Sequence, residues 1–273
     1  MAGGQAMFLA VVIVRSAAVA GSFYPGTPQA LEEEVDDLLA RAIPREGRPK
    51  ALVAPHAGYC YSGPIAASAY AQLRDPLPNR VVLIGPAHHE PILGLALPGA
   101  EALDTPLGRV PVDLAAVEAL LKLSCVGSSR SAHAQEHSLE VHLPFLQRVL
   151  PPFTIIPLLI GRASTEEVAL VIDSLWGGED TLVIVSTDLS HYLPYRLAQA
   201  TDAETAQAIL EGRPEIAATQ ACGAQGLRGL LQVARRRRLT IAQLDLRNSG
   251  DTSGDKGRVV GYGAFAFYEG TGP

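Results

Sequence analysis

Three short apolar runs, each followed within a few residues by histidine, constrain the fold of this chain most strongly. They are rich in Val, Ile and Leu and lack polar alternation, which is typical of parallel strands covered on both faces. Longer helical patterns alternate with these runs along the chain, and this order predicts an α/β fold. The three runs are Ala51–Ala54, Val81–Ile84 and Thr181–Ser186.

The same periodicities predict the other elements of the fold. Further strands are expected at Leu9–Val14 and Phe153–Ile160, and a closing β pair at Thr240–Arg247 and Arg258–Tyr268. Helices are expected at Thr27–Ala42, Ile65–Leu73, Leu114–Leu121, Ser164–Leu175, Asp202–Leu210, Pro214–Gln220 and Gly223–Arg238.

A single domain over residues 1–273 accounts for the whole chain, because the sequence has no internal repeat, low-complexity linker or sharp change of composition. We expect an ordered core from about residue 8 to residue 270 and a flexible N-terminus at residues 1–7. The Gly-rich loop Asn248–Gly257 is long enough to close over a pocket, but a simple hairpin turn is the favoured interpretation.

The composition indicates a soluble protein of a reducing compartment. Apolar residues make up 48% and charged residues 18%, and the formal net charge is −6. Nucleic acid or an anionic membrane would attract a basic face, so neither is an expected partner. The run Arg235–Arg238 ends a predicted helix, where cations complement the helix dipole. Three cysteines make no disulfide framework, and the apolar run Met7–Val14 is too short to span a bilayer, so we expect a cytoplasmic protein.

The histidines that follow the three strands predict a ligand site at one edge of the sheet. Ligands of open α/β sheets bind outside the carboxyl ends of the strands. Parallel pairing would bring together His56, either His88 or His89, and the pair Asp188 and His191. Gathered imidazoles indicate a metal site or acid–base chemistry. The alternative for each histidine is an ordinary hydrogen bond at a strand end.

A second cluster, EHSLEVHLP, covers residues 136–144. If this segment is helical, His137 and Glu140 are neighbours at i,i+3, and the carboxylate would orient an imidazole near a metal. A stripe of leucines would then face the core. The spacing differs from the zinc pattern H-E-x-x-H, so a supporting role in the pocket wall is favoured over direct ligation. The leucines are Leu139, Leu143, Leu146 and Leu150.

Cys222 precedes Gly223 and a strong helical pattern. The dipole of that helix would lower the pKa of the thiol and favour the thiolate, which is the form that attacks electrophiles or binds metals. A small buried apolar role is equally compatible with the local sequence. Cys60 and Cys125 lack such a setting. The sequence contains no G-x-G-x-x-G, Walker A or G-x-S-x-G motif, which disfavours nucleotide-dependent and α/β-hydrolase chemistry.

Taken in order, these motifs resemble the Memo family, whose prokaryotic members are called AmmeMemoRadiSam system protein B. The resemblance extends from about Val14 to Tyr268. This family in turn resembles the class III, LigB-like extradiol dioxygenases, which implies one α/β domain with a largely parallel central sheet flanked by helices. The motifs are RSAAVAGSFYP, APHAGYCYSG, GPAHH, EHSLEVHLPF, TIIPLLIG, STDLSH and TQACG.

The resemblance implies a metal bound by His56, His88 and Cys222, with Asp188 and His191 of the S-[ST]-D-x-x-H motif as catalytic residues. A cysteine stands where the dioxygenases use a carboxylate, and such a donor set suits Fe(II) or Cu(I), with zinc also possible. Five residues are expected in the pocket or around the ligands: His89, His137, Glu140, His142 and Tyr59.

Three functions are compatible with these residues. The first is a metal-dependent redox enzyme of dioxygenase type, and the second is a non-catalytic metal-binding protein. The third is a peptide-binding scaffold, since animal members of the family are linked to phosphotyrosine-peptide binding. The name of the prokaryotic members implies an AMMECR-domain protein and a radical SAM protein as partners, and the ligand would be a small molecule or a peptide.

Overall fold

The structure, a computed structural model, describes residues 12–74 and 77–270. The predicted flexible N-terminus at residues 1–7, and residues 9–11 of the predicted first strand, lie outside the described residues. The strands are β1 (Val14–Arg15), β2 (Ala51–Ala54), β3 (Arg80–Pro86), β4 (Leu95–Leu97), β5 (Ala102–Thr105), β6 (Gly108–Pro111), β7 (Val126–Ser128), β8 (Thr154–Ile160), β9 (Thr181–Ser186), β10 (His191–Leu193), β11 (Thr240–Asn248) and β12 (Val259–Tyr268).

The helices surround these strands. They are α1 (Pro28–Arg41), α2 (Tyr59–Tyr70), α3 (Leu114–Leu120), α4 (Arg130–Ala134), α5 (Leu143–Val149), α6 (Thr165–Ser174), α7 (Tyr195–Leu210), α8 (Ala224–Arg237) and α9 (Ser249–Thr252), with a 3₁₀ turn at Glu140–His142. Within the described part of the chain, no helix is both long enough and apolar enough to cross a bilayer.

Four parallel strands, in the order β2, β9, β3 and β8, form the centre of a nine-stranded sheet in the described chain. Antiparallel strands flank them: β12 pairs with β2, and β4 pairs with β8. The predicted closing pair forms, and its strands β11 and β12 are antiparallel. A separate small sheet holds β1, β5 and β6. The predicted α/β fold with a largely parallel central sheet flanked by helices is therefore confirmed.

Both faces of the central strands are covered, which explains their continuous apolar sequences. Successive side chains of a strand point to opposite faces. Val183 packs in the cluster that contains residues of α6 and α8, whereas Ile184 packs in the cluster that contains residues of α1, α2 and α5. Full burial of such a side chain stabilises the fold by about 1.5–3 kcal/mol. The carboxyl ends of the strands are thus held in a rigid frame.

Four of the seven predicted helices agree with the structure to within one residue at each end, and three segments differ. Helix α2 begins at Tyr59, six residues before the predicted start, and contains Pro64. Gly63 and Pro64 lie inside this helix, although both residue types disfavour a helix interior. Gly63 permits close packing there, because a Cβ would lie 2.9 Å from a methyl carbon of Leu38.

The second difference is α7, which has its N-cap at Pro194 and begins at Tyr195, seven residues before the predicted start at Asp202. The third is the segment Pro214–Gln220, which is predicted to be helical but is irregular and ends in a turn at residues 218–220. The Gln220 side chain accepts a hydrogen bond from the backbone N–H of Ala217, and such local bonds compete with helix formation. The loop after β11 also begins with a helical turn, α9, whose Asp251 accepts a hydrogen bond from Tyr195 on α7. That bond ties the start of the loop to α7.

Candidate metal centre

The central strands deliver two histidines to the same edge of the sheet. β9 lies between β2 and β3, with Ala54 beside Ser186 and Ile84 beside Val185. The chain continues from β2 into His56 and from β3 into His88, and the centroids of these two rings lie 5.2 Å apart. The structure therefore brings His56 and His88 together, as the strand pattern predicts.

His137 is the third imidazole of this cluster. Its ring stacks on His88 with centroids 4.7 Å apart and lies 5.5 Å from the ring of His56. Phe23 packs against His137 at 4.8 Å. One ligand atom from each of His56, His88 and His137 lies within 4.8 Å of the others, which is compact enough for a shared cation. We call these three residues the imidazole cluster.

His56 is the buried member of the imidazole cluster, with 1% of its surface exposed. Its Nδ1 lies 2.6 Å from Oγ of Ser186, and its Nε2 lies 3.3 Å from Sγ of Cys222. Burial, followed by repulsion from His88 and His137, lowers its pKa well below the ordinary value. The ring is therefore neutral at pH 7, which is the form that binds a metal.

Glu136 orients His88 and is a site residue that the sequence pattern did not predict. Its carboxylate accepts hydrogen bonds from Nδ1 and the backbone N–H of His88, at 2.9 and 2.6 Å. The backbone N–H groups of His137 and Ser138 also donate to it. Burial raises its pKa, but the bonds from His88 and Ser138 outweigh that effect and lower the pKa to about 2. The signal in the sequence was its position directly before His137.

Glu140, expected to orient an imidazole, holds the N-terminal segment instead. It pairs with Arg15 and accepts hydrogen bonds from the backbone N–H groups of Ala18 and Val19 and from the Tyr24 hydroxyl. Residues 136 and 137 have no regular secondary structure and residues 138 and 139 form a turn, so the predicted helix that would set Glu140 beside His137 does not form. The predicted leucine stripe, in contrast, is buried at all four positions.

Cys222 lies against His56, but its thiol is not activated in the predicted way. Sγ accepts a hydrogen bond from the backbone N–H of Asp188 and contacts Nε2 of His56, each at 3.3 Å. Burial, with a further contribution from the charge of Asp188, raises the pKa of the thiol to about 12. Cys222 precedes the N-cap Gly223 and lies outside α8, so desolvation dominates over the helix dipole.

Asp188 lies on the short loop that follows β9, and His191 is the first residue of β10. Asp188 is buried, and its Oδ1 accepts a hydrogen bond of 2.7 Å from the backbone N–H of His56. Burial raises the pKa of Asp188 to about 7, although the N–H of His56 and the charge of His88 act in the opposite direction. Nδ1 of His191 donates to the carbonyl of Leu189 at 2.8 Å, which leaves its Nε2 free for proton exchange. Burial lowers the pKa of His191.

The other three predicted pocket residues lie in different environments. His89 is exposed, and its ring centroid is 6.1 Å from that of His137. His142 is fully buried below His56, where burial lowers its pKa to about 3. Tyr59 is a core residue: its hydroxyl donates to the carbonyl of Val141 at 2.6 Å, and its ring packs against Phe145.

The donors around His56 fit a transition metal better than a hard cation, because they are imidazoles and a thiol. The 3.3 Å between Sγ of Cys222 and Nε2 of His56 is close to the roughly 3.5 Å that separates two donors of one tetrahedral ion. A second compact set combines His89 and His137 with Glu136. Its carboxylate already accepts the four N–H groups described above, so this set is the poorer candidate.

Comparisons with known proteins agree with the motifs. A family model described as Memo-like protein matches residues 15–266. Proteins named as MEMO1 family members from Methanosarcina barkeri, Methanothermobacter thermautotrophicus and Aquifex aeolicus are 38%, 36% and 34% identical to the chain. The alignments cover 92%, 92% and 91% of this chain and 98%, 99% and 97% of those relatives. This chain therefore belongs to the Memo family.

Proposed function

We propose that this protein binds one transition-metal ion at the imidazole cluster and is a redox enzyme of dioxygenase type. The observation that carries the proposal is the way two histidines are held. Nδ1 of His56 contacts Ser186 and Nδ1 of His88 contacts Glu136, so each ring is held by one nitrogen and offers Nε2 as a ligand. Histidines that bind metals are almost always held in this way.

The third proposed ligand is Cys222, as the family resemblance implies. Its Sγ is in direct contact with Nε2 of His56, which supports the assignment. His137 is the alternative, since it completes the compact set with His56 and His88. Binding through Cys222 requires loss of the thiol proton, and a bound cation favours that loss strongly.

Fe(II) or Cu(I) at this mixed nitrogen and sulfur site would supply redox chemistry, whereas zinc would direct it toward hydrolysis. The residues of the chain supply proton transfer and orientation. His191, held at Nδ1, would exchange a proton with the substrate through Nε2. Asp188 would fix the backbone of His56 through its hydrogen bond. The substrate would be a small organic molecule or a peptide, and an AMMECR-domain protein and a radical SAM protein are the proposed partners.

The first test is elemental analysis of protein purified without oxygen. Wild type is compared with His56→Ala, Cys222→Ala and His137→Ala, and with Cys125→Ala as a control, because Cys125 is also buried but packs among β4 and β7. We expect about one equivalent of iron or copper in wild type and the control, and loss in His56→Ala and Cys222→Ala. Loss of the metal in His137→Ala, with the metal retained in Cys222→Ala, would make His137 the third ligand in place of Cys222. Metal-free protein after reconstitution would overturn the proposal in favour of a peptide-binding scaffold.

A second test separates an enzyme from a protein that only binds metal. His191→Ala should keep the metal, because His191 is not a proposed ligand, and should lose oxygen consumption with catechol-like substrates. Retention of both metal and turnover would remove His191 from the mechanism. Absence of turnover in wild type that holds its metal would favour the non-catalytic alternative.

A further inference from the structure

A row of buried polar groups continues from His56 into the core. Oγ of Ser186 contacts three groups: Nδ1 of His56 at 2.6 Å, Nε2 of His142 at 2.8 Å and the carbonyl oxygen of Ser138 at 2.6 Å. Nδ1 of His142 contacts the hydroxyl of Tyr70 at 2.6 Å. The side chains of Ser186, His142 and Tyr70 are completely buried, so water does not compete for these bonds.

The protons of this row can be assigned by counting donors. The carbonyl of Ser138 can only accept, so the single proton of the Ser186 hydroxyl is donated to it. Oγ of Ser186 then has only lone pairs for its two imidazole neighbours. His56 must therefore carry its proton on Nδ1, and His142 must carry its proton on Nε2.

The far end of the row agrees with this assignment. A neutral His142 with a proton on Nε2 has a lone pair on Nδ1, and the Tyr70 hydroxyl is the donor that this lone pair requires. Every polar atom in the row then has a partner, as buried polar groups generally do. The opposite tautomer of His142 would set two lone pairs against each other at Ser186, and it would leave the hydroxyl proton of Tyr70 without an acceptor in the row.

We propose that Ser186, His142 and Tyr70 are positioning residues that lock His56 in the tautomer with its proton on Nδ1 and keep its Nε2 available as a ligand. The use of this lock in metal binding rests on the proposed function, but the tautomer itself exists without any metal. Ser186 is well placed for the task, because it is the last residue of the central strand β9 and pairs in register with Ala54, two residues before His56.

If Ser186, His142 and Tyr70 have only a structural role, a different result is expected. If the three side chains only filled the core, their removal would lower stability and leave the protonation of His56 unchanged. The tautomer of His56 is therefore the decisive measurement. Nitrogen-15 NMR of histidine-labelled metal-free protein reads it directly, because protonated and unprotonated ring nitrogens have separate resonances.

The experiment records these spectra for wild type, Ser186→Ala, Ser186→Thr and Tyr70→Phe, with His56 and His142 assigned by substitution. We expect His56 protonated on Nδ1 in wild type and in Ser186→Thr, which keeps a hydroxyl. Ser186→Ala should show a mixture that includes the Nε2-protonated form, and its metal affinity should fall by about 10–100-fold. Tyr70→Phe should release His142 into a mixture of tautomers. Tyr59→Phe is the matched control, because Tyr59 is also a buried tyrosine and its hydroxyl donates a hydrogen bond to the carbonyl of Val141. This substitution should leave the tautomers of His56 and His142 unchanged.

The outcomes separate this inference from the proposed function. His56 protonated on Nε2 in wild type overturns the inference, and so does an unchanged tautomer in Ser186→Ala. If Ser186→Ala does not fold, the wild-type spectrum and Tyr70→Phe still decide the matter. A locked Nδ1 tautomer in a protein that binds no metal would support the lock and refute the proposed function.

Discussion

Two glutamates four residues apart, Glu136 and Glu140, are both nearly fully buried and have opposite roles. Both carboxylates accept several hydrogen bonds, so neither is an unsatisfied buried charge. The partners of Glu136 belong to the candidate metal centre, namely His88, His137 and Ser138. The partners of Glu140 belong to the N-terminal segment, where Arg15 and Tyr24 are bound.

The two residues are alike in type and burial, so the partners that each side chain reaches decide whether it serves the stability of the fold or the chemistry of the site. Glu136 lies in an irregular segment and accepts hydrogen bonds from His88 at the sheet edge, whereas Glu140 begins the following 3₁₀ turn and pairs with Arg15. We expect substitution of Glu140 to lower the stability of the fold, and substitution of Glu136 to lower the affinity for the metal.

The largest effect is expected for Glu140→Gln. The substitution leaves the buried guanidinium of Arg15 without its counter-charge, and breaking a buried pair in this way costs about 3–5 kcal/mol. Urea unfolding of the metal-free protein would measure the loss. Glu118→Gln on the exposed face of α3 is the control and should unfold as wild type does.

A double variant tests the cause of that loss. If the unpaired charge of Arg15 causes most of the loss, adding Arg15→Met to Glu140→Gln should restore part of the stability. A double-mutant cycle would show this. If Glu140→Gln lowers the free energy of unfolding by less than about 1 kcal/mol, as for an exposed ion pair, the stabilising role assigned to Glu140 is wrong.

A smaller effect on stability and a larger one on metal binding are expected for Glu136→Gln. The amide nitrogen of glutamine would face N–H donors of His88 and the following turn, so His88 would lose its fixed orientation. Loss of such a supporting carboxylate typically weakens metal affinity by about 10–100-fold. Competition with a chromogenic chelator would measure it. Equal affinities for wild type and the variant would show that Glu136, like Glu140, serves only the fold.

The sequence predicts the strands and most helices of the fold well. It predicts poorly which groups the buried polar side chains contact. The apolar runs Ala51–Ala54 and Thr181–Ser186 match β2 and β9 to the residue, because burial on both faces leaves a clear signal. That signal also predicts where His56 and His88 meet. Whether Glu136 or Glu140 faces the site depends on an irregular turn, which has no periodicity to detect.

Two further residues show the same limit. Ser186 is predicted only as the end of a strand, since nothing in its neighbours indicates the three polar groups that converge on its hydroxyl. Tyr59 belongs to a motif that implies a pocket, but the early start of α2 places it in the core. Both depend on contacts between segments more than 40 residues apart in the chain.

The smallest effect on metal affinity is expected at His89. His89→Ala removes an exposed ring that lies 6.1 Å from His137 and belongs to the second compact set, with Glu136. If the ion is held at His56, metal affinity should change by less than about twofold, as for an ordinary surface substitution. If His89→Ala lowers the metal affinity by tenfold or more and Cys222→Ala leaves it unchanged, the ion is held at the set that contains His89. Glu136 would then be a ligand in its own right, and its contrast with Glu140 would be greater, because one carboxylate would bind the ion while the other binds Arg15.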